Sequence, residues 1–115
     1  MKGNSVVIVF KSNGMGQTEN QELRETLARK FLTLITDADP LPAAICFYTD
    51  GVRLACTGSP ILPELRALEA RGIHLVLCKT CLDAFGLADQ VQIGVIGGMT
   101  DIITAMWSAD TVIDL

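Results

Sequence analysis

Five short apolar runs, separated by longer amphipathic stretches, constrain the fold of this chain more than any other feature of its sequence. The runs are rich in valine and isoleucine, and they span residues 5–10, 43–48, 73–77, 91–96 and 111–115. Nearly continuous apolar runs of this length are typical of strands that are covered on both faces. The alternation of strands and helices therefore predicts an α/β fold, with a mostly parallel five-stranded sheet between two layers of helices.

The stretches between the runs show the periodicity of amphipathic helices. Thr18 or Asn20 is expected to cap the first helix, and Ser59 followed by Pro60 the second. A shorter helix is predicted over residues 78–85. The apolar positions that define the three longer helices are Leu23, Leu27, Ala28, Phe31, Leu34 and Ile35; Leu62, Leu65 and Leu68; and Met99, Ile102, Ile103, Met106 and Trp107.

Length and composition exclude several classes of protein. With 115 residues, half of them hydrophobic, the chain is predicted to form a single domain over residues 1–115. Nine basic against thirteen acidic side chains give a net charge of −4, which argues against a nucleic-acid partner. No apolar run approaches the roughly 20 residues of a membrane span, and the first fourteen residues lack the core of a signal peptide. We therefore expect a cytoplasmic protein without a membrane partner.

Four loops are expected to meet at one edge of the sheet. Right-handed crossovers bring every strand-to-helix loop to the carboxyl edge of a parallel sheet, where ligands of open α/β sheets bind. In this chain those loops are residues 11–20, 49–59, 78–81 and 97–100. A functional site is therefore predicted at this edge.

The pair Cys78-Lys79-Thr80-Cys81 is the sharpest chemical signal in these loops. A thiol where a strand gives way to a helix gains thiolate character from free N–H groups, and Lys79 adds a cation, whereas Asp83 acts in the opposite sense. We predict that Cys78 is the exposed, reactive thiol and that Cys81 either resolves it or tunes its pKa. The alternative, two buried and unreactive cysteines, is weakened by the polar residues between them.

A zinc site is a further interpretation of this pair. A closed site needs four ligands, and only Cys46, Cys56 and His74 remain as soft ligands, without a second paired motif. No metal or other cofactor is therefore predicted. Cys46 lies within a strand and is expected in the core. Cys56 lies in a loop at the carboxyl edge, where it either approaches the reactive thiol or packs beneath a helix.

Other loop residues are weaker candidates for ligand contacts. Gly14 and Gly16 follow the first strand, where a phosphate loop would lie, but the third glycine is missing and a simple turn is the alternative. Asp50 could orient a ligand, and the bare backbone at Gly97 and Gly98 could hold an anion. The predicted binding residues are Gly14, Met15, Gly16, Asp50, Cys56, Lys79, Thr80, Gly97, Gly98 and Met99.

Several segments together resemble one known family. They are V-L-C-K-T-C-L-D with F-G-L at 76–87, Met-Gly at 15–16, G-V-R-L at 51–54 and G-S-P at 58–60. In order and spacing they resemble the DsrE/DsrF-like proteins, and most closely the DsrE-like domain of the YedF group of selenium and sulfur metabolism. The chain departs from that group at Lys79, Gly98 and Thr100, where Gly, Asn and Tyr are usual.

The resemblance implies a fold, a chemistry and partners. It implies a three-layer α/β/α sandwich that assembles as a homo-oligomer and carries a persulfide on the cysteine after the third strand, which matches Cys78. YedF-group proteins also carry a sulfur-carrier-like domain, so this protein is expected to work either alone or with a separate small sulfur-carrier protein. The main hypothesis is a sulfur or selenium carrier with sulfurtransferase-type activity. The alternatives are a non-catalytic module that binds a small ligand or partner, and a dithiol redox protein.

Overall fold

A computed structural model describes residues 5–115. The first four residues, which belong to the predicted domain 1–115 and to the segment tested for a signal peptide, lie outside the described residues. The elements are β1 (Val6–Phe10), α1 (Gln21–Ile35), β2 (Ala44–Phe47), a 3₁₀ helix (Thr49–Ala55), α2 (Leu62–Ala70), β3 (His74–Cys78), α3 (Lys79–Phe85), β4 (Val95–Gly97), α4 (Met99–Ser108) and β5 (Thr111–Asp114).

The five strands form one sheet in the order β4-β3-β2-β1-β5, and every neighbouring pair is parallel. The chain moves in one direction from β1 to β4 and then returns to the far side of β1. Because parallel crossovers are right-handed, α1, α2 and α3 lie on one face of the sheet, and α4 lies on the other. The predicted α/β/α sandwich with a parallel five-stranded sheet is confirmed.

Two large aromatic side chains fill the core where β1 and β2 end. Phe10 and Phe47 are fully buried there, and their rings stack with centroids 5.7 Å apart. The 3₁₀ helix packs directly behind this pair, and Val52 and Leu54 on it are also fully buried. Burial of such side chains contributes about 1.5–3 kcal/mol each relative to exposure. The carboxyl edge of the sheet is therefore a firmly packed platform for the loops above it.

The fourth strand is shorter than its apolar run predicts, since it covers Val95–Gly97 rather than residues 91–96. The first part of the run bonds elsewhere: Gln92 donates its N–H to the carbonyl of Ala55 at 2.9 Å, and Gln90 accepts from the N–H of Thr57 at 2.9 Å. These bonds hold the segment against the residues that follow the 3₁₀ helix, so it cannot pair with β3.

The first helix buries a narrower face than its apolar pattern predicts. Ala28 and Leu32 are fully buried, whereas Leu23, Leu27 and Leu34 are exposed. The predicted single stripe is thus two stripes, one against the sheet and one on the surface. Its N-terminus agrees with the prediction, because the Asn20 side chain accepts the N–H of Leu23 at 3.1 Å and caps the helix.

The second helix starts later than predicted. Ser59 and Pro60 do not open it, because α2 begins at Leu62 after the N-cap residue Ile61, and Pro63 takes the early proline position. Ile61 is fully buried, so residues 57–61 form a turn that inserts this side chain into the core before the helix begins. The Ser59 hydroxyl accepts the N–H of Ile61 at 3.3 Å within that turn. Within residues 5–115, no helix is both long and apolar enough to cross a bilayer.

Candidate functional site

The two cysteines of the paired motif differ in exposure in the opposite sense to the prediction. Cys78 is the last residue of β3, pairs with Gly97 of β4 and is only 1% exposed. Cys81 lies in the first turn of α3 and is half-buried. The expectation that Cys78 is the exposed thiol is therefore wrong. The strand continues through Cys78, so its side chain is still covered by the layers of the sandwich, and the chain leaves the sheet only after it.

A backbone N–H group points at the more accessible sulfur. Thr49, the first residue of the 3₁₀ helix, donates its N–H to Sγ of Cys81 at 3.0 Å. Its hydroxyl lies against the carbonyl oxygen of Lys11 at the end of β1. Thr49 adopts a positive φ of 46°, a conformation that costs a residue with a side chain about 1–2 kcal/mol. One residue thus connects the end of β1 to the thiol on α3.

Opposing influences act on the Cys81 thiol. Burial raises its pKa, the N–H of Thr49 lowers it, and the hydrogen bond to Cys78 together with the charges of Cys78 and Asp50 raises it again. The net effect raises the pKa of Cys81 above its ordinary value. In this balance the N–H of Thr49 is the one contribution that stabilises the thiolate. Loss of that contact would therefore raise the pKa of Cys81 further.

The helix terminus and Lys79 contribute less to the thiols than predicted. With seven residues, α3 is too short for a large macrodipole. The Lys79 ammonium pairs with Asp83 at 2.7 Å, and both side chains are largely in solvent. This i,i+4 pair stabilises the surface of α3 by about 0.3–0.5 kcal/mol at most. Lys79 and the exposed Thr80 lie on the outer side of the motif.

The other two cysteines lie in the core. Burial raises the pKa of the Cys46 thiol to about 11. Burial also raises the pKa of Cys56, and the nearby charge of Arg53 opposes that shift. Cys56 is 2% exposed, and its thiol donates to the carbonyl of Val52 at 3.2 Å. Cys56 thus packs beneath the 3₁₀ helix, the second of the two placements that the sequence leaves open.

These differences predict an order of reaction with a thiol-alkylating reagent. We expect limiting iodoacetamide at neutral pH to label Cys81 first, because it is the most accessible thiol and the only one with an N–H donor on its sulfur in the part of the chain that the structure describes. Cys46 and Cys78 should react only after unfolding in guanidinium. Trypsin places the four cysteines on separate peptides, 31–53, 54–66, 72–79 and 80–115, so mass spectrometry resolves each rate. Faster labelling of peptide 72–79 would contradict this order.

A cleft of about 500 Å³ opens beside Thr49 at the carboxyl ends of β1 and β2. We call it the β1–β2 cleft; its lining includes Lys11, Ser12, Gly16, Tyr48 and Thr49. The hydrogen bond and charge of Asp114 raise the pKa of Lys11, whose ammonium lies 2.8 Å from that carboxylate. The size fits a small molecule. Of the glycines predicted to bind a ligand, Gly16 contributes to this cleft.

Other predicted ligand contacts already have partners within the chain. A side chain at Gly14 would place its Cβ 2.6 Å from Cβ of Arg24, so this glycine allows α1 to pack closely. Met15, next to it, packs against the core. The carboxylate of Asp101 accepts the N–H of Gly98 at 2.9 Å and so occupies the position predicted for an anion.

Asp50 and the last loop also have defined surroundings. Asp50 pairs with Arg53 at 3.0 Å, and the guanidinium of Arg53 lies 4.4 Å from the ring centre of Phe85. These contacts join the 3₁₀ helix to α3 near the thiol pair. Gly97 packs against Val76, and Met99 begins α4 half-exposed. Among residues 5–115 no three His, Cys, Asp or Glu side chains cluster as metal ligands.

Thr49 is the residue that sequence reasoning missed. It lies in the predicted loop 49–59, but nothing in the sequence distinguishes it from other loop threonines. Its positive φ and its contact with Cys81, 32 positions away, exist only in the folded chain. The nearest signal in the sequence is the pair Asp50-Gly51, which predicts a turn of the chain but not a hydrogen-bond donor to a thiol.

Three solved structures share this fold. YchN from E. coli is 24% identical, with a TM-score of 0.70 over 98% of this chain and 100% of its own. MTH1491 from Methanobacterium thermoautotrophicum, a protein of unknown function, is 19% identical, with a TM-score of 0.72 over 98% of this chain and 100% of its own. BT1422 from Bacteroides thetaiotaomicron is 13% identical, with a TM-score of 0.67 over 96% and 95%. At these identities the likeness concerns the fold alone.

The sequence itself provides the family assignment. No curated protein matches the chain significantly. The model of the DsrE/DsrF-like family matches residues 4–115, which is nearly the whole chain and includes the thiol pair and the loops around it. The chain therefore belongs to the DsrE/DsrF-like family.

Proposed function

We propose that this protein accepts a sulfane sulfur atom, or its selenium equivalent, on Cys81 and passes it on as part of a sulfur relay. The single observation that carries the proposal is the half-buried Cys81 sulfur with the Thr49 N–H donating to it at 3.0 Å beside a second thiol. Family membership supports a relay role. The assignment reverses the roles predicted from the sequence, because Cys78 is buried.

The proposed chemistry is sulfane transfer without net oxidation. The Cys81 thiolate attacks the outer sulfur of a donor persulfide, R–S–SH; the donor S–S bond breaks, R–S⁻ leaves, and Cys81–S–SH forms. An acceptor thiolate then attacks the outer sulfur of Cys81–S–SH and regenerates the Cys81 thiolate. If Cys78 attacks the inner sulfur instead, HS⁻ leaves and a Cys78–Cys81 disulfide forms, which an external dithiol must reduce. Cys78 is thus the resolving thiol.

Intact-mass measurement tests this function. The reduced protein is incubated with inorganic polysulfide as the sulfane donor, desalted and weighed before and after treatment with dithiothreitol. We expect a gain of about 32 Da, one sulfur atom, that the reductant removes. If the mass does not change under conditions that load a small-molecule thiol, the protein is not a sulfane acceptor.

A binding module is the second candidate function, and two observations favour it. The β1–β2 cleft has the volume of a small-molecule site, and the pKa of Cys81 is raised rather than lowered. In that case the thiols are incidental and a ligand in the cleft is the functional partner. Failure of sulfur loading together with saturable binding of a small molecule would favour this function.

We further propose that the protein assembles as a homo-oligomer through α4. Met99, Ile103 and Trp107 stand four residues apart on this helix, and they are 45%, 47% and 86% exposed. Residues at this spacing form one apolar stripe, and Trp is enriched at interfaces. We place this assembly in a reducing cytoplasm, where free thiols persist. A separate sulfur-carrier protein is the proposed acceptor or donor.

Removing the stripe should dissociate the oligomer. We expect Ile103→Ser with Trp107→Ser to lower the mass measured by light scattering at micromolar concentration, because about 2 kcal/mol or more of interface free energy is lost for each anchor side chain. Leu34→Ser on α1 is the matched control: Leu34 is 77% exposed, and its loss should leave the mass unchanged. A wild-type monomer at these concentrations would contradict the proposal.

A further inference from the structure

We infer that Thr49 is a positioning residue for Cys81: its hydroxyl, held between the carbonyls of Lys11 and Tyr48, keeps its own backbone N–H on the Cys81 sulfur. The inference rests on the proposed function, since it assigns Thr49 a part in preparing Cys81 for sulfur transfer. It stands on the contacts of this one residue: its N–H donates to Sγ of Cys81 at 3.0 Å, and its hydroxyl lies against the carbonyl of Lys11 and 2.7 Å from that of Tyr48.

The backbone conformation of Thr49 indicates that the surrounding structure holds this residue in place. Thr49 is the only residue other than glycine with a positive φ in the described part of the chain. A β-branched residue avoids that conformation unless its surroundings hold it there, and such strain concentrates at functional sites. The anchors on either side are firm: Tyr48 donates its N–H to the carbonyl of Phe10 at 3.1 Å, and Gly51 donates to the carbonyl of Tyr48 at 2.9 Å.

The N–H of Thr49 matters because its neighbours act against a thiolate. The Cys81 sulfur lies next to Cys78 and near Asp50, and burial also favours the neutral thiol. A hydrogen bond from a fixed N–H stabilises the charged form without adding a mobile counter-ion. Thr49 also lines the β1–β2 cleft.

The pH dependence of Cys81 alkylation tests this inference. Rates on the tryptic peptide 80–115 are measured from pH 6 to 10 for wild type, Thr49→Val, Thr49→Ala and Thr49→Ser. Loss of the hydroxyl removes one of the bonds that hold the N–H on the sulfur. The weakened contact should raise the pKa of Cys81, so the profile of Thr49→Val and Thr49→Ala should move to higher pH. At pH 7 we expect the rate to fall about three- to tenfold. Thr49→Ser keeps the hydroxyl and should stay within about twofold of wild type.

The profile separates positioning from mere exposure. A change in exposure alters the plateau rate at high pH, whereas a change in thiolate stability moves the midpoint. Thr36→Val is the matched control, because its hydroxyl also bonds a backbone carbonyl, that of Leu32 at 2.8 Å, on a helix end outside the thiol site. Peptide 31–53 carries the buried Cys46, so labelling of this peptide shows whether a variant has unfolded. If Thr49→Val does not fold, Thr49→Ala still allows the measurement.

An unchanged midpoint in folded Thr49→Val or Thr49→Ala overturns the inference, as does an equal shift in Thr49→Ser. The measurement involves no sulfur donor, so it is independent of the proposed function. If the wild-type protein takes up no sulfane sulfur but the Thr49 variants show the shifted profile, the relay function is refuted and the role of Thr49 as a positioning residue for Cys81 is not. Sulfur uptake with an unmoved profile refutes only the inference about Thr49.

Discussion

We expect the Cys81→Ser variant to gain no sulfur that dithiothreitol can remove, under conditions in which the wild-type protein gains one atom. Serine lacks the nucleophilic sulfur, and Cys78, which is 1% exposed, cannot reach a donor in its place. The reducible mass of about 32 Da should therefore fall to background, which is the largest effect that a single substitution can have on the proposed activity.

The Cys78→Ser variant discriminates between the two assignments of the thiols. If Cys81 is the acceptor, Cys78→Ser should still load sulfur and should release less sulfide, because the resolving thiol is gone. Loss of the adduct in Cys78→Ser, with retention in Cys81→Ser, would restore the sequence-based assignment. Cys56→Ser is the matched control for a cysteine outside the pair, since a serine there can still donate to the carbonyl of Val52.

The second large effect is expected from Gly51→Ala in the 3₁₀ helix. A Cβ at this position would lie 2.0 Å from the carbonyl oxygen and 2.6 Å from the carbonyl carbon of Phe10, so backbone meets backbone and neither can rotate away. The helix would have to lift off the end of β1 and open the buried stack of Phe10 on Phe47. We expect the free energy of unfolding in urea to fall by at least about 3 kcal/mol.

Gly98→Ser is the matched control for Gly51→Ala. Gly98 is the N-cap of α4, serine is a preferred N-cap, and the nearest atom to a Cβ there is the nitrogen of Thr100 at 3.9 Å. This variant should stay within about 0.5 kcal/mol of wild type. If Gly51→Ala unfolds at the same urea concentration as wild type, the 3₁₀ helix does not pack closely on the end of β1, and the position of Thr49 would have to be revised.

Local patterns predicted the sheet because each strand carries its own signal. The apolar runs that predict β1, β2 and β3 agree with the observed strands to within one residue at each end. The fourth run predicts a strand that starts too early, because residues 90–92 form hydrogen bonds with the segment after the 3₁₀ helix. Apolar periodicity reports that a segment is buried, but it does not report which neighbour accepts its hydrogen bonds.

The first helix illustrates a related limit. Its leucines at 23, 27 and 34 fit an amphipathic pattern, but the layer against the sheet has room only for the narrower face around Ala28 and Leu32. Sequence periodicity fixes which residues share a face, whereas the width of the buried face depends on the neighbouring elements. The apolar pattern therefore places Leu23, Leu27 and Leu34 on the correct helix, but it does not predict that they lie on the surface.

The parallel sheet, the family and the place of the Cys78–Cys81 pair at the end of the third strand could be predicted from the sequence, because their signals lie in residues close together along the chain. Which thiol is accessible, and which group donates a hydrogen bond to it, follows from the folded chain alone. Cys78 is buried although it ends its strand, and the donor on Cys81 comes from Thr49, 32 positions earlier. The exposure of a thiol and the hydrogen bonds it accepts depend on segments that are distant in the sequence, so a local sequence pattern does not predict them.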